Sequence, residues 1–259
     1  MRVALTIAGS DSGGGAGLQA DLRTFASFSV HGLSVVTAVT AQGTERVAAV
    51  FPQKPREVAA QLDAVVSDFR LDAVKIGMLG TEEVARAVAE GLLRHRLRNI
   101  VLDPVLLAGG GERLHEGGFS PILPLALVLT PNLAEAEALL GHPVGDLGAM
   151  RDAARKLGAL GPQVVVLKGG HLDGDPVDVL WDGESLHELR AERIPGKRSH
   201  GTGCVFSAAI AALLARGEAP LSAVRRAKAY VHAALRASER FGERDFLVHP
   251  PPEGGSSGW

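Results

Sequence analysis

Six short aliphatic runs recur along the chain, and the stretches between them carry helical spacing. The runs are VALTIA (3–8), LSVVTAVT (33–40), AVKIG (73–77), IVLD (100–103), ALVLT (126–130) and QVVVLKG (163–169). Each is nearly continuous in apolar residues, the pattern of parallel strands covered on both faces. The segments 55–69, 81–95, 132–141 and 146–160 read as helices. Thr81 ahead of Glu82 and Glu83, and Asp146 ahead of another start, serve as caps. Further on, Asp182-Gly183 divides two short alternating runs within 178–189, a hairpin signal. Two Ala-rich helices are expected at 203–216 and 221–240. Strands alternating with helices predict one three-layer α/β/α domain over 1–245, with a mostly parallel central sheet. Residues 246–259, ending in PPPEGGSSGW, read as a flexible tail.

Composition narrows the function classes. A formal net charge of −2 over 259 residues, with no basic stripe, leaves no electrostatic footprint for nucleic acid or an anionic membrane. The single cysteine, Cys204, excludes a disulfide framework and a multi-cysteine metal site, so a reducing cytoplasm is the expected compartment. The apolar start of the chain leads straight into a glycine loop, which makes it a strand and not a signal peptide. No run approaches the roughly 18 apolar residues of a membrane span.

In parallel α/β sheets ligands bind beyond the carboxyl ends of the strands, so those ends hold the candidate residues. The first strand opens into GSDSGGGAGLQAD (9–21), whose backbone amides could approach a phosphate or simply make a tight turn. It contains a G-x-G-x-x-A pattern at Gly15, Gly17 and Ala20. The second strand, however, ends in Thr40-Ala41-Gln42 without the acidic residue that a dinucleotide site needs. Gln42 carries a primary amide, able to pair with a ring nitrogen beside an exocyclic amine or to satisfy its own loop. The fourth strand ends in Asp103-Pro104-Val105, ahead of the glycine-rich 106–114. The fifth ends in Thr130-Pro131-Asn132 with Glu135 three residues on. Asn132 and Glu135 make a capping box on their own. With Asp103 on the neighbouring strand they also suit Mg²⁺, which takes few protein ligands besides water and phosphate oxygens. Lys168, before Gly169-Gly170-His171, is a point charge for phosphate or an ordinary surface lysine.

Gly201-Thr202-Gly203-Cys204 opens the penultimate helix. Successive amides there form an anion site, and the positive helix end is expected to draw the Cys204 thiol toward thiolate. The plain alternative is a small buried cysteine packing the start of a helix.

The segments GSDSGGGAGLQADLRTF, VTAVTAQGT, KIGMLG, VLDPV, TPNLAEAEALLG, LKGGH and SHGTGCVFSAA, in that order, resemble bacterial hydroxymethylpyrimidine and phosphomethylpyrimidine kinases of the ribokinase-like superfamily. The resemblance covers residues 3 to 240. It implies a ribokinase-like sandwich, usually a homodimer, working in thiamine biosynthesis. The implied reaction transfers the ATP γ-phosphoryl group to 4-amino-5-hydroxymethyl-2-methylpyrimidine and then to its monophosphate. The family pattern implies a pyrimidine pocket at Gln42, Gly9, Asp21, Met78 and Val105. It sets Asn132, Lys168 and Gly203 near the nucleotide phosphates, and Asp103 and Glu135 near Mg²⁺. Gly201, Thr202 and Gly203 form the anion hole with Lys168, and Cys204 fills the slot that holds an aspartate base in most of the superfamily. A pyridoxal or pyridoxine kinase of the same fold is the nearest alternative. A nicotinamide-dependent oxidoreductase and a non-catalytic pyrimidine binder are more distant ones.

Overall fold

The computed structural model describes residues 1–107, 114, 118–170, 175–197 and 199–250. Most of the 106–114 loop, His171 and the tail from residue 251 lie outside the described residues. Nine strands make the main sheet: β1 (Arg2–Asp11), β2 (Val30–Gln42), β3 (Val47–Pro52), β4 (Ala73–Ile76), β5 (Ile100–Leu102), β6 (Val128–Leu129), β7 (Val164–Leu167), β8 (Val177–Trp181) and β9 (Leu186–Arg190). Their spatial order is β3-β2-β1-β4-β5-β6-β7-β8-β9. The six from β2 to β7 are parallel, and β3, β8 and β9 extend the sheet antiparallel at its two edges.

The continuous apolar runs have the expected cause, because helices cover both faces. Along β7, Val165 and Leu167 join the core under α2 (Pro55–Asp68), α3 (Glu82–Arg94) and α5 (Leu147–Gly158). Val164 and Val166 join the core under α1 (Gly17–Ser27), α6 (Thr202–Ala215) and α7 (Pro220–Arg236). Helix α6 is buried along nearly its whole length, from Val205 to Ala215, which its Ala-rich sequence permits by letting the sheet and α7 approach closely. Thr81 and Asp146 cap α3 and α5 as expected, and the Asp182-Gly183 turn joins β8 to β9.

Two parts of the chain differ from the sequence expectation. Residues 47–52 form β3, an edge strand that Pro52 ends and whose residues do not alternate, so no strand is expected there from the sequence. Helix α7 stops at Arg236. The next residues fold back as the hairpin β11 (Glu239–Phe241) and β12 (Arg244–Phe246), whose second strand pairs with β10 (Ser199–His200). Asp245 is buried in this small sheet, and Arg240 donates to it at 3.3 Å. That tertiary pairing decides against helix for residues 237–240, whose composition alone favours it.

All six parallel strands point their carboxyl ends at one edge of the sheet. An isolated parallel bridge between Asn132 and Lys168 prolongs the β6–β7 pairing and sets these two residues side by side there. Helix α4 (Leu133–Leu140) begins at that point.

Candidate active site

A crevice of ≈ 950 Å³ lies along this edge, walled by the strand ends, the glycine loop before α1 and the start of α6. Gly201 is the N-cap of α6 with φ 79°, and a Cβ on it would stand 2.0 Å from the Gly15 carbonyl oxygen, so only glycine fits. Thr202, Gly203 and Cys204, whose amides are the first of α6 and have no intrahelical acceptors, line the crevice. Gly203 lies against Lys168, where a Cβ would come within 3.1 Å of Nζ.

Cys204 is half-buried and lines the crevice. Its thiol does not follow the sequence expectation. Burial pushes the thiol up to about 11, and the carboxylates of Asp21 and Asp103 add to the rise. Lys75 and a hydrogen bond from the Gly17 amide pull the other way and lose. The helix start therefore does not make a resting thiolate, because burial among carboxylates outweighs the helix dipole.

Asp103 is buried at the end of β5, and three donors meet it. Lys168 Nζ and Thr130 Oγ1 reach Oδ1 at 2.9 and 3.2 Å, and Ser207 Oγ stands 3.2 Å from Oδ2. Burial alone would raise this carboxyl, but Lys168 and Lys75 hold it below the usual carboxylate range. Glu135 has the opposite balance. Burial and the nearby Asp103 charge outweigh Lys168 and raise it to about 7. The capping box is also present, with the Asn132 amide donating to Glu135 Oε2 at 2.7 Å and the Glu135 amide to Asn132 Oδ1 at 2.9 Å.

Among the described residues no group of three or more His, Cys, Asp or Glu side chains gathers to cage a metal. Mg²⁺ needs no such cage, since it keeps several waters and takes one or two carboxylates plus phosphate oxygens. Two carboxyls beside a lysine fit an ion carried in on a nucleotide. A positive ion would also relieve the charge that keeps Glu135 high.

At the other end Gly9, Met78, Val105 and Gln42 line the crevice. Asp21 does not. It is wholly buried beneath the floor, where Thr6 Oγ1 and Lys75 Nζ both donate to its Oδ2, at 2.6 and 2.8 Å. Two donors on one oxygen describe a carboxylate, so the pair with Lys75 is ionic even though burial pushes Asp21 upward. The glycine loop likewise differs from an open phosphate cradle. The Gly13 and Ala16 amides donate to the Asp11 carboxylate at 2.8 Å each, and the Gly14 amide donates to the Asp11 carbonyl at 3.0 Å. Its amides thus close a turn.

Residues 11–249 match the family model for phosphomethylpyrimidine kinase. The chain belongs to that family. It is 49% identical over 245 residues to a hydroxymethylpyrimidine/phosphomethylpyrimidine kinase of Rhizobium meliloti, covering 92% of each chain. It is 48% identical to the thiamine biosynthesis bifunctional protein ThiED of Geobacter sulfurreducens, spanning 92% of this chain and 50% of that one. An ADP complex of Bacillus subtilis pyridoxal kinase superposes with a TM-score of 0.87 at 38% identity, covering 96% of this chain and 97% of that one. The ribokinase-like expectation for the fold agrees with that likeness.

Among the crevice residues that went unnoticed in the sequence are Lys75, Asp11 and His200. Lys75 lines the crevice from within β4, fully buried and held charged by Asp21 against the cost of burial. The signal was available, because a lysine in the middle of AVKIG breaks an otherwise apolar strand. Asp11 and His200 meet at 3.3 Å beside Gln42 and belong to different segments, so no local pattern joins them.

Proposed function

We propose that the chain transfers the γ-phosphoryl group of ATP to the hydroxymethyl oxygen of 4-amino-5-hydroxymethyl-2-methylpyrimidine. A second turnover phosphorylates the monophosphate and gives the diphosphate used in thiamine biosynthesis. One observation carries the reading: Gln42, suited to an amino-pyrimidine edge, shares a single crevice with Lys168, Cys204 and the first amides of α6. A mere pyrimidine binder would not need the second set, and a nicotinamide enzyme would not need Gln42.

Phosphoryl transfer proceeds through a loose transition state, so catalysis consists mainly of positioning and charge stabilisation. Gln42, with Gly9, Met78 and Val105 around the ring, holds the hydroxymethyl group toward Cys204. The hydroxyl oxygen bonds to the γ-phosphorus as the bond to the bridging oxygen of ADP breaks. The hydroxyl proton passes late to the Cys204 sulfur in its ionised form, with the buried Lys75 as the nearby cation. Lys168 and the amides of 202 to 204 balance the charge that spreads over the transferred group. Asn132 orients the nucleotide phosphates beside Lys168. Asp103 and Glu135 are the residues that would hold Mg²⁺, which would supply further neutralisation of the phosphate charge.

The likeness to pyridoxal kinases favours a second, weaker activity on vitamin B6. Pyridoxal has no amine next to its ring nitrogen and leaves part of the Gln42 amide unpaired, a penalty of about 1–3 kcal/mol. A homodimer is supported by the exposed Val39 and Phe51, cross-strand neighbours at the β2–β3 edge. No helix among the described residues is long and apolar enough to cross a membrane. The lone cysteine supports work in the cytoplasm, where thiols stay reduced.

The deciding experiment is incubation with Mg-ATP and the hydroxymethylpyrimidine, followed by mass spectrometry. Mono- and diphosphate are expected, and pyridoxal in a parallel reaction should be the poorer substrate. Absence of both pyrimidine products overturns the reading.

A further inference from the structure

The Gln42 side chain is already engaged on both of its polar atoms. Thr40 Oγ1 stands 3.2 Å from Oε1 and donates to it, while Nε2 lies 2.9 Å from His200 Nε2. An amide nitrogen only donates, so the imidazole Nε2 must accept and carry no proton. One lone pair on Oε1 and one N–H on Nε2 remain for a ligand.

The neighbouring groups allow a second arrangement. Asp11 Oδ2 stands 3.3 Å from the same ring nitrogen, so a proton placed on His200 Nε2 would point at that carboxylate. The ring N–H would then face the amide N–H, and the Gln42 amide would have to turn over. Thr40 tolerates the exchange, because its hydroxyl can direct its one proton to the Ser10 carbonyl, 3.0 Å away, and accept from the turned amide. The two arrangements show a ligand opposite orders of donor and acceptor.

The His200 ring itself has little freedom. Its strand pairs with β12 through Phe246, and the ring meets that phenyl edge-on at 6.5 Å. On another side it packs against Gly15, where a Cβ would come within 2.4 Å of Cδ2. Only 14% of the side chain is exposed. What varies is which ring nitrogen bears the proton.

We propose that His200 is a positioning residue that sets the orientation of the Gln42 amide and so selects amino-pyrimidines over oxo-pyrimidines. The inference rests on the reading that Gln42 pairs with the pyrimidine. An amino-pyrimidine offers a ring acceptor beside an amine donor. Its oxo counterpart offers a ring N–H beside a carbonyl acceptor, the reverse order.

The test measures KM for the 4-amino substrate and the inhibition constant of the 4-oxo analogue as its competitor. Their ratio is unaffected by the fraction of protein that is folded. His200→Ala should reduce the preference for the amino compound by about tenfold, through both constants and not through kcat. His200→Gln, whose Oε1 can accept from Gln42, should restore it. Thr40→Val, similar in shape but without the hydroxyl, should leave the ratio nearly unchanged, because Thr40 serves either orientation of the amide. An unchanged ratio in His200→Ala, a ratio that falls as far in Thr40→Val as in His200→Ala, or a uniform loss of activity at constant ratio, overturns the role given to His200 and leaves the proposed function intact. A wild-type protein inactive on the amino substrate removes the functional reading and this inference together.

Discussion

Two lysine–carboxylate pairs stand at the carboxyl edge of the same sheet, with nearly identical bond lengths and different surroundings. Lys75 and Asp21 meet at 2.8 Å with both side chains sealed from solvent, Lys75 within the floor of the crevice and Asp21 beneath it. Lys168 and Asp103 meet at 2.9 Å, and Lys168 keeps 18% exposure toward the crevice. Asp21 Oδ1 has no hydrogen-bond partner, whereas Asp103 has donors to both of its oxygens. Access therefore separates two similar pairs. The open one can exchange partners with a phosphate, and the sealed one can act only through its charge and its hold on the fold.

The sharpest way to break the comparison is to remove one member of the sealed pair. Lys75→Met leaves the Asp21 carboxylate buried without a cation and should cost about 3–5 kcal/mol of stability, read by urea unfolding. The double variant Lys75→Met/Asp21→Asn should recover much of that loss, because no unpaired charge remains. A single variant of normal stability would give the sealed pair a different role.

The open pair should respond in the opposite sense. Lys168→Ala is expected to lower kcat by about 10²–10³-fold, as for a lost transition-state donor, with a smaller effect on unfolding. Loss of stability without loss of turnover would make the two pairs alike.

Cys204 lies between them and is expected to follow. With its thiol raised to about 11, little thiolate exists near neutrality, so Cys204→Ala should cost only about 10²-fold in kcat there. The sign with pH is definite. The base form grows as pH rises toward about 11, so wild-type kcat should climb by about tenfold per pH unit through the weakly alkaline range. The Cys204→Ala profile should stay flat. A wild-type profile that is already flat would remove the sulfur from proton transfer.

The smallest effect belongs to the pyrimidine end, where recognition is neutral. Gln42→Ala should raise KM for the pyrimidine by about tenfold and leave kcat nearly unchanged, checked by steady-state kinetics. An unchanged KM would detach the amide from the substrate.

Much of the architecture was legible without coordinates, since runs such as QVVVLKG satisfy two cores at once and only a covered parallel strand requires that. The gathering of Gln42, Asp103, Glu135, Lys168 and Cys204 at one edge followed from the same topology. Signals that depend on pairing across the chain were not legible. The strand at 47–52 and the turn back at 237–246 exist because of partners that their own residues do not specify.

The sequence by itself determined the strand–helix alternation, the capped helix starts and the identity of most crevice residues, because apolar periodicity and backbone chemistry are local properties. Only the tertiary structure decided that Asp21 faces Lys75 below the crevice, that the glycine-loop amides close on Asp11, and that Cys204 rests as a thiol. Each of these depends on burial and on charges brought from distant segments, and the energy of a buried charge is set by whatever surrounds it in space.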